Sequence, residues 1–459
     1  MARPGKPRKQ YTCQACGADF PQWAGQCGGC GAWDTLLEGV VAAAPAGAAR
    51  RGSGWAGEVP RSQRLADVAG AETPRTATGI GELDRVLGGG LVAGSVTLIG
   101  GDPGIGKSTL LMQAAATLSE SLDVLYVTGE ESLQQVGLRA RRLGVPAASL
   151  SLLSETCVEA IAESARTEKP GVLVVDSIQT IHSESLQSAP GAVAQLREAA
   201  AQLVRLAKQT DIAVFLVGHV TKEGVIAGPR VLEHMVDTVL YFENDAGSRY
   251  RVIRAVKNRF GAVNELGVFV MNDSGLKEVK NPSAIFLSKH DGPVSGSAVT
   301  VTREGSRPLL LEVQALVDGS HLANPRRVAV GMEQNRLSML LAVLHRHGGI
   351  AMYDQDVFVN VVGGLRVAET AADLPVLLAA LSSFRDKPLE QGLVLFGEVG
   401  LAGEVRPVYN GEERLREAAK HGFRRAIVPK GNAPRSLKIE GMEIVPVQRL
   451  IDAVAAAGF

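Results

Sequence analysis

The chain has 459 residues, which is enough for two or three domains with large buried cores. Its 48 basic residues balance 48 acidic ones, so composition alone gives no global positive field for nucleic acid. No apolar run reaches transmembrane length and no secretory signal opens the sequence, so we expect no membrane partner and a cytoplasmic location.

Four of the five cysteines lie close together near the start of the chain, in two Cys-x-x-Cys pairs with the spacing of zinc knuckles. Four thiolates complete a tetrahedral shell around Zn²⁺, which predicts a structural zinc module over residues 1–38. A redox dithiol pair is the alternative. The predicted metal ligands are Cys13, Cys16, Cys27 and Cys30.

A module of this size cannot stabilise itself by burial alone, so the metal supplies much of its folding energy. We expect Trp23 and Trp33 to form its small core. Residues 39–62 follow as a segment rich in Ala, Gly and Pro without periodicity, which predicts a linker.

Residues 63–281 alternate apolar, strand-like runs with helix-like segments, the pattern of an α/β domain with a mainly parallel sheet. The unbroken apolar character of the runs suits strands that are covered on both faces. The predicted strands are Val96–Gly100, Val124–Thr128, Val172–Asp176, Ile212–Val217 and Val236–Phe242.

A complete phosphate-loop pattern, GxxxxGK[ST], separates the first of these strands from a helix-like segment. Backbone N–H groups and a helix N-terminus can hold a polyphosphate there, and Lys107 would reach the β- and γ-phosphates of ATP. Ser108 would help to hold Mg²⁺. A glycine-rich turn is the alternative. The predicted ATP-binding residues are Gly101, Asp102, Pro103, Gly104, Ile105, Gly106, Lys107, Ser108 and Thr109.

Two later strands end in acidic residues. Asp176 closes an apolar run in the form of a Walker B element, which predicts a magnesium ligand acting directly or through water. Glu130 and Glu131 follow another run, and we choose Glu130 as the base that polarises the attacking water, with Glu131 supporting it. Alternatively, the two acids are a helix N-terminal pair favoured by the macrodipole.

A further strand ends at His219, a position that suits a γ-phosphate sensor. The following stretch carries Lys222 and Arg230 together with two glycines, so a mobile basic loop could follow a nucleic-acid backbone. A structural histidine and a solvated loop are the alternatives.

Lys257 and Arg259 close the strand-like segment Tyr250–Val256, with no acid close in sequence. Two cations two residues apart on an extended segment point to the same side. Such a pair could deliver positive charge to a phosphoryl transition state, although the spacing alone favours a solvated strand end.

Asn281-Pro282 marks a boundary, and residues 282–459 form a second predicted α/β domain. It begins with alternating segments at Ala298–Arg303 and Leu309–Val317, and helices are predicted near 335–347 and 373–385. The segment is long enough to fold by itself.

Taken together, these features resemble the RadA (Sms) family of bacterial DNA-repair proteins, within the RecA/DnaB-like ATPases. The likeness covers nearly the whole chain. It is carried by the four cysteines and by the stretches GDPGIGKST, VTGEES, VVDSIQT, KNRFG and NVVGGLRVAETAADLPV. The resemblance implies a RecA-like P-loop ATPase core, an N-terminal zinc module and a C-terminal Lon-protease-like α/β domain.

The resemblance also implies a DNA-dependent ATPase in recombinational repair, using ATP, Mg²⁺ and structural Zn²⁺. Its implied form is a homo-hexameric ring on single-stranded DNA that promotes branch migration of recombination intermediates in partnership with the RecA recombinase. Lys257 and Arg259 would then act in trans on the nucleotide of a neighbouring subunit.

The C-terminal domain resembles the proteolytic domain of Lon, which uses a Ser–Lys dyad. The likeness places Ala371 where the serine belongs and Arg414 where the lysine belongs. Alanine offers no nucleophile and arginine is too basic to act as a general base, so we expect no proteolysis and a ring-forming, DNA-holding scaffold.

Three other functions are weighed against the motor. An active Lon-type protease is disfavoured by the missing dyad. A switch ATPase resembling the KaiC proteins would share the paired glutamates, but KNRFG and the zinc module speak against it. A filament-forming recombinase would share the ATPase core, whereas the Lon-like domain favours closed rings.

Overall fold

The computed structural model describes residues 8–13, 18–20, 22–41, 74–146, 149–219, 229–243, 250–288, 292–434 and 436–459. Contacts divide the chain into two units, with the boundary between Val279 and Lys280. Within the described residues, no helix combines the length and the apolar character needed to cross a bilayer.

The first described element of the first unit is a small antiparallel sheet of order β2-β1-β3. Its strands are β1 Arg8–Cys13, β2 Asp19–Phe20 and β3 Leu36–Val41. Cys13, Cys27 and Leu36 are buried together, with Phe20 packed against them. The expected tryptophan core is wrong, because Trp23 is 57% and Trp33 is 70% exposed. The small interior is formed instead by Cys13, Cys27 and Leu36, with Tyr11, Ala18 and Phe20 packed against it.

The rest of the first unit is a large α/β sandwich around a sheet with nine strands in the described residues. Its strands are β6 Val96–Gly101, β7 Val124–Thr128, β8 Leu150–Ser154, β9 Val172–Asp176, β10 Ala213–His219, β11 Thr238–Glu243, β12 Tyr250–Asn258, β13 Leu266–Asn272 and β14 Gly275–Glu278, and a separate two-stranded ribbon pairs β4 Arg75–Thr76 with β5 Leu91–Val92. The helices are α1 Gly81–Leu87, α2 Lys107–Leu118, α3 Leu133–Leu143, α4 Val158–Glu168 and α5 Val193–Thr210.

The strand order of the large sheet is β14-β13-β12-β11-β6-β10-β9-β7-β8. The six strands from β11 to β8 are parallel, and β12, β13 and β14 continue the sheet antiparallel at one side. The prediction of a mainly parallel sheet is therefore confirmed. The predicted strands agree with the observed ones to within two residues at each end.

Alternate residues of the central strands enter two separate cores, one on each face of this sheet. On β7, Tyr126 belongs to the core that holds Phe215 and much of α2, whereas Val127 belongs to the core that holds much of α5. Because both faces are covered by helices, the strands are apolar throughout. The same alternation places Asp176 on the face of β9 that also carries Val174 and faces the α2 core.

The second unit is built on a sheet of order β17-β18-β16-β15-β19-β22-β23. Its strands are β15 Ser297–Glu304, β16 Arg307–Gly319, β17 Arg327–Val330, β18 Gln355–Val361, β19 Leu393–Leu395, β22 Arg425–Pro429 and β23 Glu443–Val447, and a hairpin pairs β20 Glu398–Val399 with β21 Val405–Arg406. The helices are α6 Gln334–Gly348, α7 Asp373–Phe384, α8 Gly411–Lys420 and α9 Leu450–Ala456. The second α/β domain and its two named helices follow the sequence prediction.

Candidate active site

The phosphate loop joins β6 to α2 at the carboxyl edge of the parallel strands. Gly106 immediately precedes α2 with φ of 118°, and a Cβ there would lie 2.8 Å from the terminal methyl of Met271. Gly101 has φ of 153°, and its Cβ would lie 2.9 Å from that of Phe242. Both glycines are required by backbone conformation and by close packing. The result is a helix N-terminus at the end of a buried strand, which suits an anion.

Lys107 is buried and lies over its own loop. Its Nζ donates hydrogen bonds to the carbonyl oxygen of Gly101 at 2.8 Å and to that of Asp102 at 2.9 Å. Burial lowers the pKa of Lys107 to about 8, and the negative charge of Asp176 is the largest opposing influence. Neutral carbonyl oxygens are weaker hydrogen-bond acceptors than phosphate oxygens. The Lys107 ammonium can therefore exchange its two carbonyl partners for the oxygens of a bound polyphosphate.

The remaining loop residues surround this lysine. Ile105 packs into the core, whereas Pro103 and Gly104 are exposed, and Ser108 and Thr109 lie half-buried in the first turn of α2. The nucleotide-contacting role of each loop residue stays a prediction.

Asp176 is held by a buried tyrosine. The Tyr126 hydroxyl donates to Oδ2 of Asp176 at 2.6 Å, and both side chains are buried. Burial raises the pKa of Tyr126, so the phenol is a neutral donor at physiological pH. A hydroxyl at Ser108 and a carboxylate at Asp176 are oxygen donors of the kind that Mg²⁺ prefers, so the residues fit the predicted cation.

Glu130 and Glu131 have different surroundings. Ser177 donates a short hydrogen bond to Oε1 of Glu130, and Nε2 of His219 lies 3.3 Å from the same oxygen. Mainly because of the His219 contact, the pKa of Glu130 falls to about 2. Glu131 instead forms a close ion pair with Arg139. Glu130 is therefore the carboxylate that faces the other polar groups of this site, and the choice between the two remains a prediction.

His219 lies beside Glu130 at the end of β10, although these two residues are far apart in sequence. Its Nδ1 is buried and accepts no hydrogen bond from the described residues. Gln179 donates to the carbonyl oxygen of His219 at 3.2 Å. Of the predicted loop cations, Lys222 lies outside the described residues, and Arg230 lies in the short 3₁₀ turn Pro229–Leu232 with no description of its side chain.

Lys257 and Arg259 are anchored by different groups. Lys257 donates to the carbonyl oxygens of Glu233 at 2.7 Å and Val236 at 2.8 Å. Arg259 pairs with Asp237 at 3.1 Å and keeps 57% of its side chain exposed. No acid is close to this pair in sequence, but the fold brings Asp237, from just before β11, to Arg259.

The rest of the KNRFG segment makes a rigid turn. The side-chain amide of Asn258 donates to the carbonyl oxygen of Val86 at 3.3 Å and its Oδ1 accepts from the backbone of Phe260 at 2.9 Å. A Cβ on Gly261 would lie 2.8 Å from Cα of Gly88. The turn therefore presents Arg259 on a fixed backbone.

This turn lies at the opposite edge of the sheet from the phosphate loop. Asp237 accepts a hydrogen bond from the backbone N–H of Val96, the first residue of β6, at 3.0 Å. The loop begins where β6 ends at Gly101, about 17 Å further along the strand. An arginine side chain anchored beside Val96 cannot span that distance to its own loop.

Three contributing residues were not found from the sequence: Tyr126, Ser177 and Asp237. Tyr126 occupies an apolar strand, where a tyrosine reads as core. Ser177 follows Asp176 directly, so its contact with Glu130 depends on the packing of neighbouring strands. Parity along the strands could have placed Tyr126 and Asp176 on one face, but only after the pairing of β7 with β9 was known.

The zinc module brings three predicted ligands together. The Sγ atoms of Cys13, Cys27 and Cys30 all lie within 4.8 Å of one another, and those of Cys13 and Cys30 are 3.7 Å apart. A tetrahedral zinc with Zn–S bonds of about 2.3 Å requires sulfurs roughly 3.8 Å apart. The backbone N–H of Gly29 points to Sγ of Cys27 at 3.4 Å. The thiolate set fits Zn²⁺, and the fourth predicted ligand, Cys16, lies outside the described residues.

The Lon-like positions in the second unit are closed to chemistry. Arg414 is 1% exposed and makes a bidentate pair with Glu369, at 2.8 and 2.6 Å to the two carboxylate oxygens. Its other N–H groups reach the carbonyl oxygens of Tyr409 and Val301. Ala371 is buried two residues from Glu369. The position expected for a lysine is thus occupied by a buried arginine that makes four hydrogen bonds to protein oxygens.

Three segments of the chain match described families. Residues 11–38 match a rubredoxin metal binding domain, residues 58–225 match an AAA domain, and residues 326–432 match subunit ChlI of Mg-chelatase. These matches agree with a thiolate metal module, a phosphate-loop ATPase domain and a Lon-like second domain.

Proteins named DNA repair protein RadA are similar along the full length. The one from Pseudomonas aeruginosa is 64% identical over 451 residues, which cover 98% of this chain and 99% of that protein. The one from Escherichia coli is 59% identical over 452 residues, covering 98% of each chain. The one from Bacillus subtilis is 48% identical over 450 residues, again covering 98% of each. Because its similarity to these relatives extends over 98% of the chain, this chain belongs to the RadA family of DNA-repair proteins.

Proposed function

We propose that the chain is a DNA-dependent ATPase that works as a hexameric ring motor on single-stranded DNA and promotes branch migration of recombination intermediates. The observation that carries this proposal is the position of Lys257 and Arg259 at the sheet edge opposite the phosphate loop. RadA relatives are named as DNA-repair proteins, and the proposal gives the ATPase a task within repair.

An exposed arginine on a rigid turn, out of reach of its own nucleotide, is suited to a nucleotide on another subunit. Among the described residues, the Arg259 guanidinium has one ion-pair partner, Asp237, and 57% of the side chain is exposed, so the guanidinium can turn outward. In a ring, the same contact repeats between each subunit and the next. Lys257 and Arg259 would both stabilise charge on the transferring phosphoryl group in trans.

Within one subunit, Lys107 would bind the β- and γ-phosphates, and Ser108 with Asp176 would hold Mg²⁺. When bound, Mg²⁺ neutralises charge on the β- and γ-phosphate oxygens. Glu130 would accept a hydrogen bond from the attacking water. With a pKa near 2, Glu130 is a weak base while His219 and Ser177 hold it, so loosening of these contacts would favour hydrolysis.

Because its contact with Glu130 must loosen for hydrolysis, His219 is suited to respond to the bound nucleotide. As a sensor at the end of β10, it would report the nucleotide to the loop that carries Lys222 and Arg230, which would follow the DNA backbone. The partners would be single-stranded DNA, branched intermediates and the RecA recombinase, in the cytoplasm.

For the second unit we propose an assembly and DNA-holding role without proteolysis. Four of the five N–H donors of the Arg414 guanidinium are engaged by Glu369, Tyr409 and Val301, and Ala371 has no nucleophilic group, which supports this proposal. The domains would follow the sequence boundaries at 1–38, 39–62, 63–281 and 282–459.

The proposal is tested by ATP hydrolysis with and without single-stranded DNA, alongside unwinding of a tailed duplex and migration of a synthetic branched junction. Stimulation by DNA together with strand movement is the expected result. Stimulation without strand movement would favour a recombinase or a KaiC-like switch and overturn the motor. A casein digestion assay in the same buffers tests the protease alternative.

The zinc assignment has its own test. Cys27→Ser should lower the zinc content of the purified protein, whereas Cys157→Ser should leave it unchanged because Cys157 lies at the start of α4. Elemental analysis gives both values. Unchanged zinc in Cys27→Ser would refute the four-thiolate site.

A further inference from the structure

Tyr126 is a tyrosine in the middle of β7, a buried strand whose other residues are three aliphatic side chains and Thr128. Its side chain is 0% exposed and belongs to the same core as Phe215, Phe242 and Phe269. A buried phenol requires a hydrogen-bond partner, and here that partner is Asp176, at 2.6 Å. Packing alone would be satisfied by phenylalanine, so the hydroxyl calls for an explanation of its own.

Strand register explains why this residue reaches Asp176. Tyr126 lies opposite Val174 in the parallel pairing of β7 with β9, and Asp176 is two residues further on the same face. Diagonal neighbours on one face are roughly 7 Å apart at their Cα atoms, which a phenol can bridge and a shorter side chain cannot. The hydroxyl therefore arrives at the carboxylate from inside the core.

The contact divides the two oxygens of Asp176. Oδ2 accepts the Tyr126 hydroxyl, and within the described part of the chain Oδ1 accepts no hydrogen bond. A carboxylate with one oxygen held has lost rotation about its terminal bond. The oxygen that is left over is then presented in one orientation.

We propose that Tyr126 is a positioning residue for the divalent cation of the ATPase: it holds Oδ2 of Asp176 so that Oδ1 serves the cation. This inference rests on the proposed role of Asp176 and adds a residue from a neighbouring strand. Groups that orient a metal ligand commonly change metal affinity when they are removed, by about tenfold or more.

The competing explanation is that Tyr126 only fills the core. The two explanations differ in what they predict for the dependence on Mg²⁺. Loss of packing would weaken nucleotide binding with and without the cation, whereas loss of positioning would weaken only the cation-dependent part. Because Tyr126→Phe keeps the ring and the surrounding core already holds phenylalanines, the variant should fold.

The experiment measures binding of a fluorescent ADP analogue to the full chain during titration with MgCl₂, and again in EDTA. Tyr126→Phe should raise the Mg²⁺ concentration for half-saturation by about tenfold and change affinity in EDTA by less than about twofold. Tyr241→Phe is the matched control, since it removes a hydroxyl that donates to Glu233 at 2.8 Å on another strand of the sheet. It should leave the Mg²⁺ titration unchanged.

Asp176→Asn separates failure of the inference from failure of the proposed site. If this variant leaves the Mg²⁺ titration unchanged, the assignment of Asp176 itself is wrong. If it alters the titration while Tyr126→Phe does not, only the positioning role is overturned. In the double variant, Tyr126→Phe should add no further effect, because it acts through Asp176; an additive effect would also overturn the inference.

Discussion

The phosphate-loop edge of the first unit and the Ala371–Arg414 region of the second both bury a cation near a carboxylate, yet only one of them retains usable chemistry. Lys107 is held by two neutral carbonyl oxygens, and Asp176 keeps one oxygen unengaged by the described residues. The Arg414 guanidinium donates hydrogen bonds to both carboxylate oxygens of Glu369 and to two backbone carbonyl oxygens. A cationic side chain that is held only by neutral carbonyls can change partners and bind an anionic ligand. A cationic side chain in a buried bidentate ion pair stays with its carboxylate and has a structural role.

The prediction with the largest expected effect concerns Lys107, the cation that is held by two neutral carbonyl oxygens. Lys107→Ala should reduce ATP hydrolysis by at least about 100-fold, because it removes the buried ammonium that lies over the loop carbonyls of Gly101 and Asp102. Phosphate release at saturating ATP measures it. Lys277→Ala, an exposed lysine on β14, is the control that should keep normal turnover. Normal turnover in Lys107→Ala would refute the phosphate-loop assignment.

The second prediction asks whether the site is completed by another subunit. Arg259→Ala should lower hydrolysis by about 1,000-fold while assembly is retained, because the side chain is exposed and its removal leaves the core intact. Arg205→Ala, on the exposed face of α5, should have no such effect.

Mixing the two inactive variants sharpens this test. Mixed rings of Arg259→Ala and Lys107→Ala subunits contain some interfaces with one intact Lys107 and one intact Arg259, so hydrolysis should partly return. Co-purification through an affinity tag carried by one variant alone shows that mixed assemblies form. Failure to recover any activity in them would remove the support for action in trans.

The third prediction tests whether the buried pair of Arg414 with Glu369 stabilises the second unit. Arg414→Met should lower the free energy of unfolding of the second unit by about 2–4 kcal/mol. This loss is somewhat smaller than the roughly 3–5 kcal/mol that breaking a fully buried ion pair costs, because Glu369 is partly exposed. Arg416→Met, on the same helix, removes a solvent-exposed pair with Glu412 and should cost less than about 0.5 kcal/mol. Chemical denaturation compares the two variants.

The same comparison predicts that restoring the dyad residues does not restore proteolysis. In Ala371→Ser combined with Arg414→Lys, the new ammonium would still pair with Glu369 and remain protonated. Casein digestion by this double variant would contradict the view that the pair closes the site.

The smallest effect concerns pH. Since burial lowers the pKa of Lys107 to about 8, the lysine loses its charge as pH rises through that value, whereas bound phosphate would keep it protonated. Binding then takes up a proton, so ADP affinity should fall by up to roughly eightfold between pH 7.5 and 9. Lys107→Arg should flatten this dependence, because arginine stays charged. An unchanged slope in that variant would assign the dependence to another group.

The site could be predicted from sequence wherever function depends on residues close together in the chain. Lys107 and its glycines form one continuous loop, and Cys27 and Cys30 flank a single local turn, so spacing is sufficient for them. Tyr126, Ser177 and Asp237 were not predicted, because each acts on a residue of another strand. The predicted burial of Trp23 and Trp33 was wrong for a related reason. Whether a side chain is buried depends on the packing of the folded module, which residue spacing does not reveal.

By itself, the sequence predicted the phosphate loop, the set of cysteine ligands and the alternation of strands and helices, because these are properties of local spacing and residue chemistry. The tertiary structure decided which groups share one place. It put His219 against Glu130, Tyr126 behind Asp176, and Asp237 between β6 and Arg259. The physical reason is that strand order and register set these distances, and both depend on packing across the whole sheet.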